Sequence, residues 1–398
     1  MNLLSKTTPW VVASLLAATS AFGQGTSRQD NKCPPTPCCE FKEMMPGMPG
    51  YNAPSLIKVC GGWDFFASAS FIYWQPIQDN MEVGLTNINP LATTALGAGT
   101  NQSTEGSFIQ MNFSYKPGFK VGLGMDFDFD NWDSYAEYTY LHGTHHTSSN
   151  GPTDGFIFPT WGAPFVINNA PFYTQASSSF KCNLDIVDWV LGRNYFVGTK
   201  LMFHPVAGAR AAWITESNSV KYTNSVANGV TGFLSNASGS NGATFTQTVV
   251  HARAHSWAIG PRVGLETNWM LGEGFRLMTD GYADILYTKY KVQTKTQAIA
   301  LAANTVGPAV GNIQAAITRA VHVGAVRAHL DLEMGLGWGS YFANNGWHID
   351  LSATYGFQVF FDQNMLRTFT NANMVGNSRT ANGNLYTQGL TATARFDF

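Results

Sequence analysis

The stretch Trp347-His348-Ile349-Asp350-Leu351-Ser352-Ala353-Thr354-Tyr355-Gly356-Phe357-Gln358-Val359-Phe360-Phe361 decides the fold. From Trp347 to Phe361 every odd position is apolar. The even positions His348 to Gln358 are polar or small. A period of two sends successive side chains to opposite faces of a strand. The preceding stretch repeats the pattern in even register: Val326, Ala328, Leu330, Leu332, Met334, Leu336 and Trp338 alternate with Arg327, His329, Asp331, Glu333, Gly335 and Gly337. Asn344-Asn345-Gly346 between them is a tight-turn signal, so the two form a hairpin. At ~3.3 Å per residue the second strand is roughly 46 Å long, and a ~45° tilt leaves a rise of about 33 Å, enough for a bilayer's apolar band.

Working outward, such pairs recur. Phe119–Phe127 turns at Asp130-Asn131 into Ser134–His142, and Phe108 to Tyr115 reads as an extension of the first of these. Phe180–Arg193 turns into Leu201–Ile214, and Trp257–Trp269 turns at Gly272-Glu273-Gly274 into Phe275–Tyr287. Single strands at Trp63–Trp74 and Leu385–Phe398 begin and close the set. Short turns near 128–133, 194–199, 271–274 and 343–346 alternate with long polar segments near 76–106, 143–178, 215–250, 290–320 and 362–383. Hydrocarbon cannot satisfy backbone polar groups, so a spanning sheet must close on itself. Alternating short and long connections are the signature of such a barrel, with short turns on the periplasmic side and long loops outside. The expectation is an all-β, closed antiparallel transmembrane β-barrel of about ten strands, or twelve to fourteen if a long loop hides a further hairpin.

Composition agrees. Of 398 residues only 12% are charged, against roughly 25% in ordinary soluble domains, while 13% are aromatic. Mean hydropathy is −0.08 and net charge −2, which excludes a polytopic helical protein, a basic nucleic-acid binder and an acidic disordered chain. Each strand splits its residues between lipid and lumen, and the average falls near zero. Aromatics gather at both strand ends: Trp132, Tyr195, Phe196, Trp269, Phe275, Tyr341, Phe342, Trp347 and Phe398 near the short turns, and Tyr73, Trp74, Tyr140, Trp213, Trp257, Tyr287, Phe360 and Phe361 near the long loops. Two such belts suit amphipathic rings at two interfaces.

At the N-terminus, Lys6, the apolar run Trp10–Ala18 and Ala21-Phe22-Gly23 read as a signal peptide over 1–23, too short to span a membrane. Residues 24–61 form a periplasmic Cys/Pro-rich segment, and 62–398 the barrel. Cys33, Cys38, Cys39 and Cys60 are candidates for disulfide cross-linking in an exported protein. The prolines between Cys33 and Cys38 and the lack of histidine nearby argue against zinc.

The last strand alternates Leu390, Ala392, Ala394, Phe396 and Phe398 with Thr391, Thr393, Arg395 and Asp397, which resembles the C-terminal signal read by the outer-membrane β-barrel assembly machinery. Four motifs, Pro117–Gly124 with Trp132-Asp133, Gly260–Trp269, Glu333–Gly339 and Gly389–Phe398, resemble the pore-forming outer-membrane protein family of Legionella-type and chlamydia-related bacteria, itself similar in style to the chlamydial major outer-membrane porin. The resemblance covers the chain from about 117 onward. It implies a porin in the bacterial outer membrane, a water-filled channel for passive diffusion of ions and small hydrophilic solutes, and it transfers no site residues.

Where the apolar face meets lipid, the alternate face lines the lumen. It carries Lys120, Asp126, Arg262, Glu266, Arg276, Asp280, Asp284, Arg327, His329, Asp331, Glu333, His348, Asp350 and Arg395, of both signs and with no clean ion preference. Charged rings of this kind tune ion passage. The same groups paired across strands would instead fill the lumen, and at about ten strands any aqueous pore is narrow. The alternative is therefore a structural or adhesive barrel with a closed lumen and sticky Ser/Thr/Asn/Gly loops such as Asn236–Gly242. A rim hydrolase or metal site built on His142, His145 and His146 is weaker, because no HExxH or nucleophile elbow accompanies them and a solvated loop cluster explains them. The glycines Gly335, Gly337 and Gly339, with Gly122 and Gly124, read as lumen-facing strand positions that free space. The sequence calls for no catalytic residue, metal or cofactor. Expected partners are outer-membrane lipid, the assembly machinery, small hydrophilic solutes, and further copies of the chain or disulfide-linked envelope proteins; nucleic acid is not among them.

Overall fold

Alternating Val, Ile, Leu and aromatic positions leave each segment half apolar, and a strand can bury that half only against further strands or lipid. The computed structural model describes residues 57, 59, 65–87, 106–127, 131–151, 156–161, 173–223, 244–301, 312–317, 320–369 and 378–398. Ten strands form its wall: β1 (Phe65–Gln78), β2 (Lys116–Asp126), β3 (Trp132–Asn150), β4 (Gln175–Arg193), β5 (Leu201–Thr223), β6 (Thr244–Gly272), β7 (Phe275–Leu301), β8 (Val321–Phe342), β9 (Trp347–Phe360) and β10 (Leu385–Asp397). Each pairs antiparallel with its chain neighbours, and β10 returns to β1 in register from Phe66 opposite Asp397 to Gln78 opposite Leu385. The sheet is closed. No strand edge faces lipid.

The short turns need a left-handed backbone. Ala343, Asn344 and Asn345 have φ of 52°, 55° and 64°, and Gly272, Glu273 and Gly274 have 120°, 52° and 82°. Asparagine and glycine tolerate that region, which is why these turns were legible.

The long segments differ from expectation. β3 runs to Asn150, β5 to Thr223 and β7 to Leu301, while β4 starts at Gln175 and β6 at Thr244. Much of 143–178, 215–250 and 290–320 is therefore wall, not loop. Here the period of two persists but the outward residues are polar, because this part of the wall stands in water. Phe108–Ile109 does not extend β2; it pairs with Gly84–Asn87, which also pairs with Phe156–Pro159. Arg367–Phe369 pairs with Ser378–Thr380, and Asn312–Ile317 with the end of β7.

Outward aromatics mark the two interfaces. Trp269, Phe275, Tyr195, Phe342, Trp347 and Phe398 are exposed at the short-turn end, and Tyr73, Trp213, Trp257 and Tyr287 at the other. Trp74 and Phe360, expected in the outer belt, are buried on the inner face instead, since each has the opposite strand parity to its outward neighbours Tyr73 and Phe357. The signal peptide, Cys33, Cys38, Cys39, Cys60 and the Asn236–Gly242 loop lie outside the described residues. Cys182, inside the wall on β4, is a free buried thiol.

Candidate functional site in the barrel lumen

None of the fourteen expected lumen residues is exposed, and their strand neighbours face lipid. Most enter ion-pair clusters in the membrane half. The central one is built on Arg210 on β5, 2% exposed, whose guanidinium donates to both Asp188 oxygens at 2.6 and 2.7 Å. Arg210 also reaches His329 at 2.9 Å and Asp284 at 3.4 Å. His329 lies 2.6 Å from Asp284, and Arg262 joins Asp284 at 2.9 Å and Asp331 at 3.4 Å. These groups come from β4 to β8, so pairs cross over intervening strands instead of running along the wall.

One contact reaches farther. The Lys120 ammonium on β2 sits 3.3 Å from Glu137 and 3.4 Å from Glu333 on β8. Around a ring of ten, β2 and β8 are four positions apart, so nearly opposite walls touch. Toward the periplasmic end Arg276 forms a bidentate pair with Asp350. Asp397 receives His348 at 2.8 Å and Arg395 at 2.7 Å, and Arg395 lies 3.6 Å from Asp126. Glu266 accepts from Tyr282 at 2.5 Å and contacts His204 at 2.8 Å, with Asp133 on the far side of that ring at 2.9 Å. Arg327 stands apart near the outer end and pairs with the exposed Asp362. Asp280 is half-buried on the same inner face.

Sequence reasoning missed Arg210, Asp188, His204, Asp133, Glu137 and Asp397. The signal was present: Asp188 lies between Val187 and Trp189, and Arg210 between Ala209 and Ala211. Four further carboxylates against one further arginine tip the mixed set toward acid. The glycines make room for these groups. A Cβ on Gly122 would stand 2.2 Å from the Tyr135 hydroxyl, and one on Gly264 would stand 2.2 Å from Tyr282 Cδ1. Gly337 lies beneath the Arg276 guanidinium in the same way.

At the outer belt and above it the interior changes character. Trp74, Leu141, Phe180, Leu184, Ile186, Ile214, Tyr222, Val250, Leu286 and Tyr290 form one apolar core across the lumen. Met81, Val83, Ile157, Trp161, Tyr173 and Leu366 from the outer segments complete it. Hydrogen bonds tie those segments to the wall: Tyr222 donates to the Val83 carbonyl at 2.5 Å, and Gln363 bridges Tyr290 and Ser256 at 3.1 and 3.0 Å. Glu216 is enclosed beside this core, with no hydrogen-bond partner for either carboxylate oxygen among the described residues. Three residues beyond Trp213 on β5, it lies outside the lipid band, and burial alone pushes its carboxyl up to about 8.

A family model described as Legionella pneumophila major outer membrane protein precursor matches residues 58–398. The chain belongs to this family. It is an outer-membrane protein, and the family, the closed sheet and the lipid-facing belts agree on that location. No curated protein matches the sequence. Among solved structures, the outer membrane protease OmpT from Escherichia coli is similar at 9% identity, covering 87% of this chain and 100% of that one with a TM-score of 0.40. A Pseudomonas aeruginosa FadL homologue is similar at 6% identity, covering 88% and 98%, with a TM-score of 0.26.

In this member of the Legionella family the three rim histidines do not converge, and they stand on a strand, not in a solvated loop. His142 pairs outward with Asp185 at 3.0 Å, while His145 is buried inward and its Nδ1 accepts from the Ser114 backbone N–H at 3.0 Å. His146 is exposed on the outward face. Positions 142 and 145 have opposite strand parity, which separates them. Among the described residues no group of three or more His, Cys, Asp or Glu is placed to hold a metal ion. Leu390, Ala392, Ala394 and Phe398 of the terminal signal face lipid, and the Phe398 N–H donates to the Phe65 carbonyl at 3.0 Å as the barrel closes.

Proposed function

We propose that this outer-membrane protein is a structural barrel with its lumen shut, which anchors and displays its outer segments at the cell surface. The observation that carries the reading is the Lys120–Glu333 contact across nearly opposite walls. The apolar core above it adds a second layer that a water-filled passage would have to dissolve. A hydrophobic constriction resists wetting, and a cross-lumen ion pair leaves no bare charge to conduct. The test is swelling of vesicles carrying the purified full chain in an isotonic small sugar. Swelling no faster than in protein-free vesicles is expected, and rapid swelling would overturn the reading.

The porin implied by the resemblance is the second reading. It is favoured by the acid-rich polar lining of the membrane half, chemistry that passes cations once its pairs part. It requires the upper core to part as well. Currents selective for potassium over chloride would support it.

A further inference from the structure

The outward face above the outer belt is strongly biased in charge on one side of the barrel. β5, β6 and β7 are neighbours, and Trp213, Trp257 and Tyr287 mark where their outward residues leave the lipid. Beyond that line their outward positions carry Lys221, Arg253, Lys289, Lys291 and Lys295, five of the chain's 23 basic residues on three adjacent strands. His251 and His255 lie among them, opposite Lys295 and Lys291. No aspartate or glutamate occupies the described outward positions of these strands above the belt, and no ion pair joins these cations to a described carboxylate. By contrast, on β4 Asp185 answers His142.

The height of the patch is as telling as its sign. Lys289 follows Tyr287 by two residues and lies directly opposite Trp257. Two residues of a tilted strand rise about 5 Å, and a headgroup layer is roughly 5–7 Å deep. Lys289 therefore stands at the level of the outer-leaflet headgroups, and Lys291, about 9 Å above Tyr287, stands just past them with a long stem able to reach back. Clustered like charges without counter-charge repel one another, so an anion between them relieves strain in the set.

We propose that the outward face of β5–β7 just above Trp213, Trp257 and Tyr287 binds the phosphate groups of an anionic lipid in the outer leaflet. Arg253, Lys289 and Lys291 are the principal contacts, and the belt rings pack against the acyl chains. The site is outside the wall and does not depend on whether the lumen conducts.

The test uses the full chain purified in a zwitterionic detergent and titrated with phosphatidic acid or phosphatidylcholine, with retained lipid counted by native mass spectrometry. Phosphatidic acid should be retained and phosphatidylcholine lost. Cations near an anionic surface contribute roughly tenfold for every one to two charges, so the triple variant Arg253→Gln, Lys289→Gln, Lys291→Gln should retain at least about tenfold less. Lys291→Arg, which keeps the charge, should retain phosphatidic acid like the parent. Equal retention of the two lipids, or an unaltered triple variant, would overturn the proposal. So would complete displacement by inorganic phosphate or by heparin, which would assign the patch to a free anion or a soluble polyanion.

Discussion

Leu332 and Leu336 on β8 face lipid while Asp331 and Glu333 beside them face inward; on β5, Ser219 and Lys221 face outward while Val220 and Tyr222 face inward. The same wall thus builds two interiors of opposite polarity, one above the other. In the membrane half the outside solvent is hydrocarbon, so polar residues collect within and must satisfy one another. Above the belt the outside solvent is water, and the apolar residues collect within as in any soluble core. The lower interior is held by directional ion pairs and the upper by burial. Substitutions should therefore act by different rules on each side of the belt.

Breaking the lower layer at its centre is the largest expected effect. Arg210→Met strands Asp188 without its bidentate partner and leaves Asp284 to Arg262 alone among the arginines, and losing one partner of a buried pair costs about 3–5 kcal/mol. Urea unfolding of the barrel in phosphatidylcholine vesicles measures it as a lowered midpoint.

Next comes Glu216, a carboxylate buried in the apolar interior. Glu216 has a folded value of about 8, above its unfolded value, so the folded state binds the extra proton between those two limits. Stability from this group is greatest below the unfolded carboxylate range and falls as pH rises through about 8. Glu216→Gln should remove that slope and stabilise the barrel at neutral pH by roughly 3 kcal/mol as an order of magnitude. Unfolding midpoints from pH 5 to 9 that stay parallel for the two proteins would contradict the assignment.

The outer faces sharpen the contrast with a single substitution made twice. Leu332→Lys, about midway along β8 between Phe342 and the position opposite Tyr287, places a charge against hydrocarbon and should cost about 2–4 kcal/mol. Ser219→Lys places the same charge in water beside Lys221 and should stay within about 0.5 kcal/mol. Equal effects in the same urea titration would dissolve the distinction between the two halves.

The lower half was legible because its alternation is of the familiar kind, apolar out and charged in. All ten strands, the Asn344-Asn345-Gly346 turn and the inward face of β8 follow from it. By polarity alone the upper half reads as loop, although Lys289-Tyr290-Lys291-Val292 keeps the period of two. What inverted was the environment, which no local pattern states. The contact between nearly opposite walls was equally hidden. Lys120 and Glu333 are far apart in sequence, and only the circular strand order brings them together. His142, His145 and His146 show the converse, three adjacent signals that strand parity sends to two faces.

The central claim is that ion pairs and an apolar core shut the lumen in series. Current through a planar bilayer holding the purified full chain at neutral pH tests it most directly. The account predicts a flat trace at the level of the bare bilayer with the barrel folded. Stepwise conductance under those conditions would contradict it.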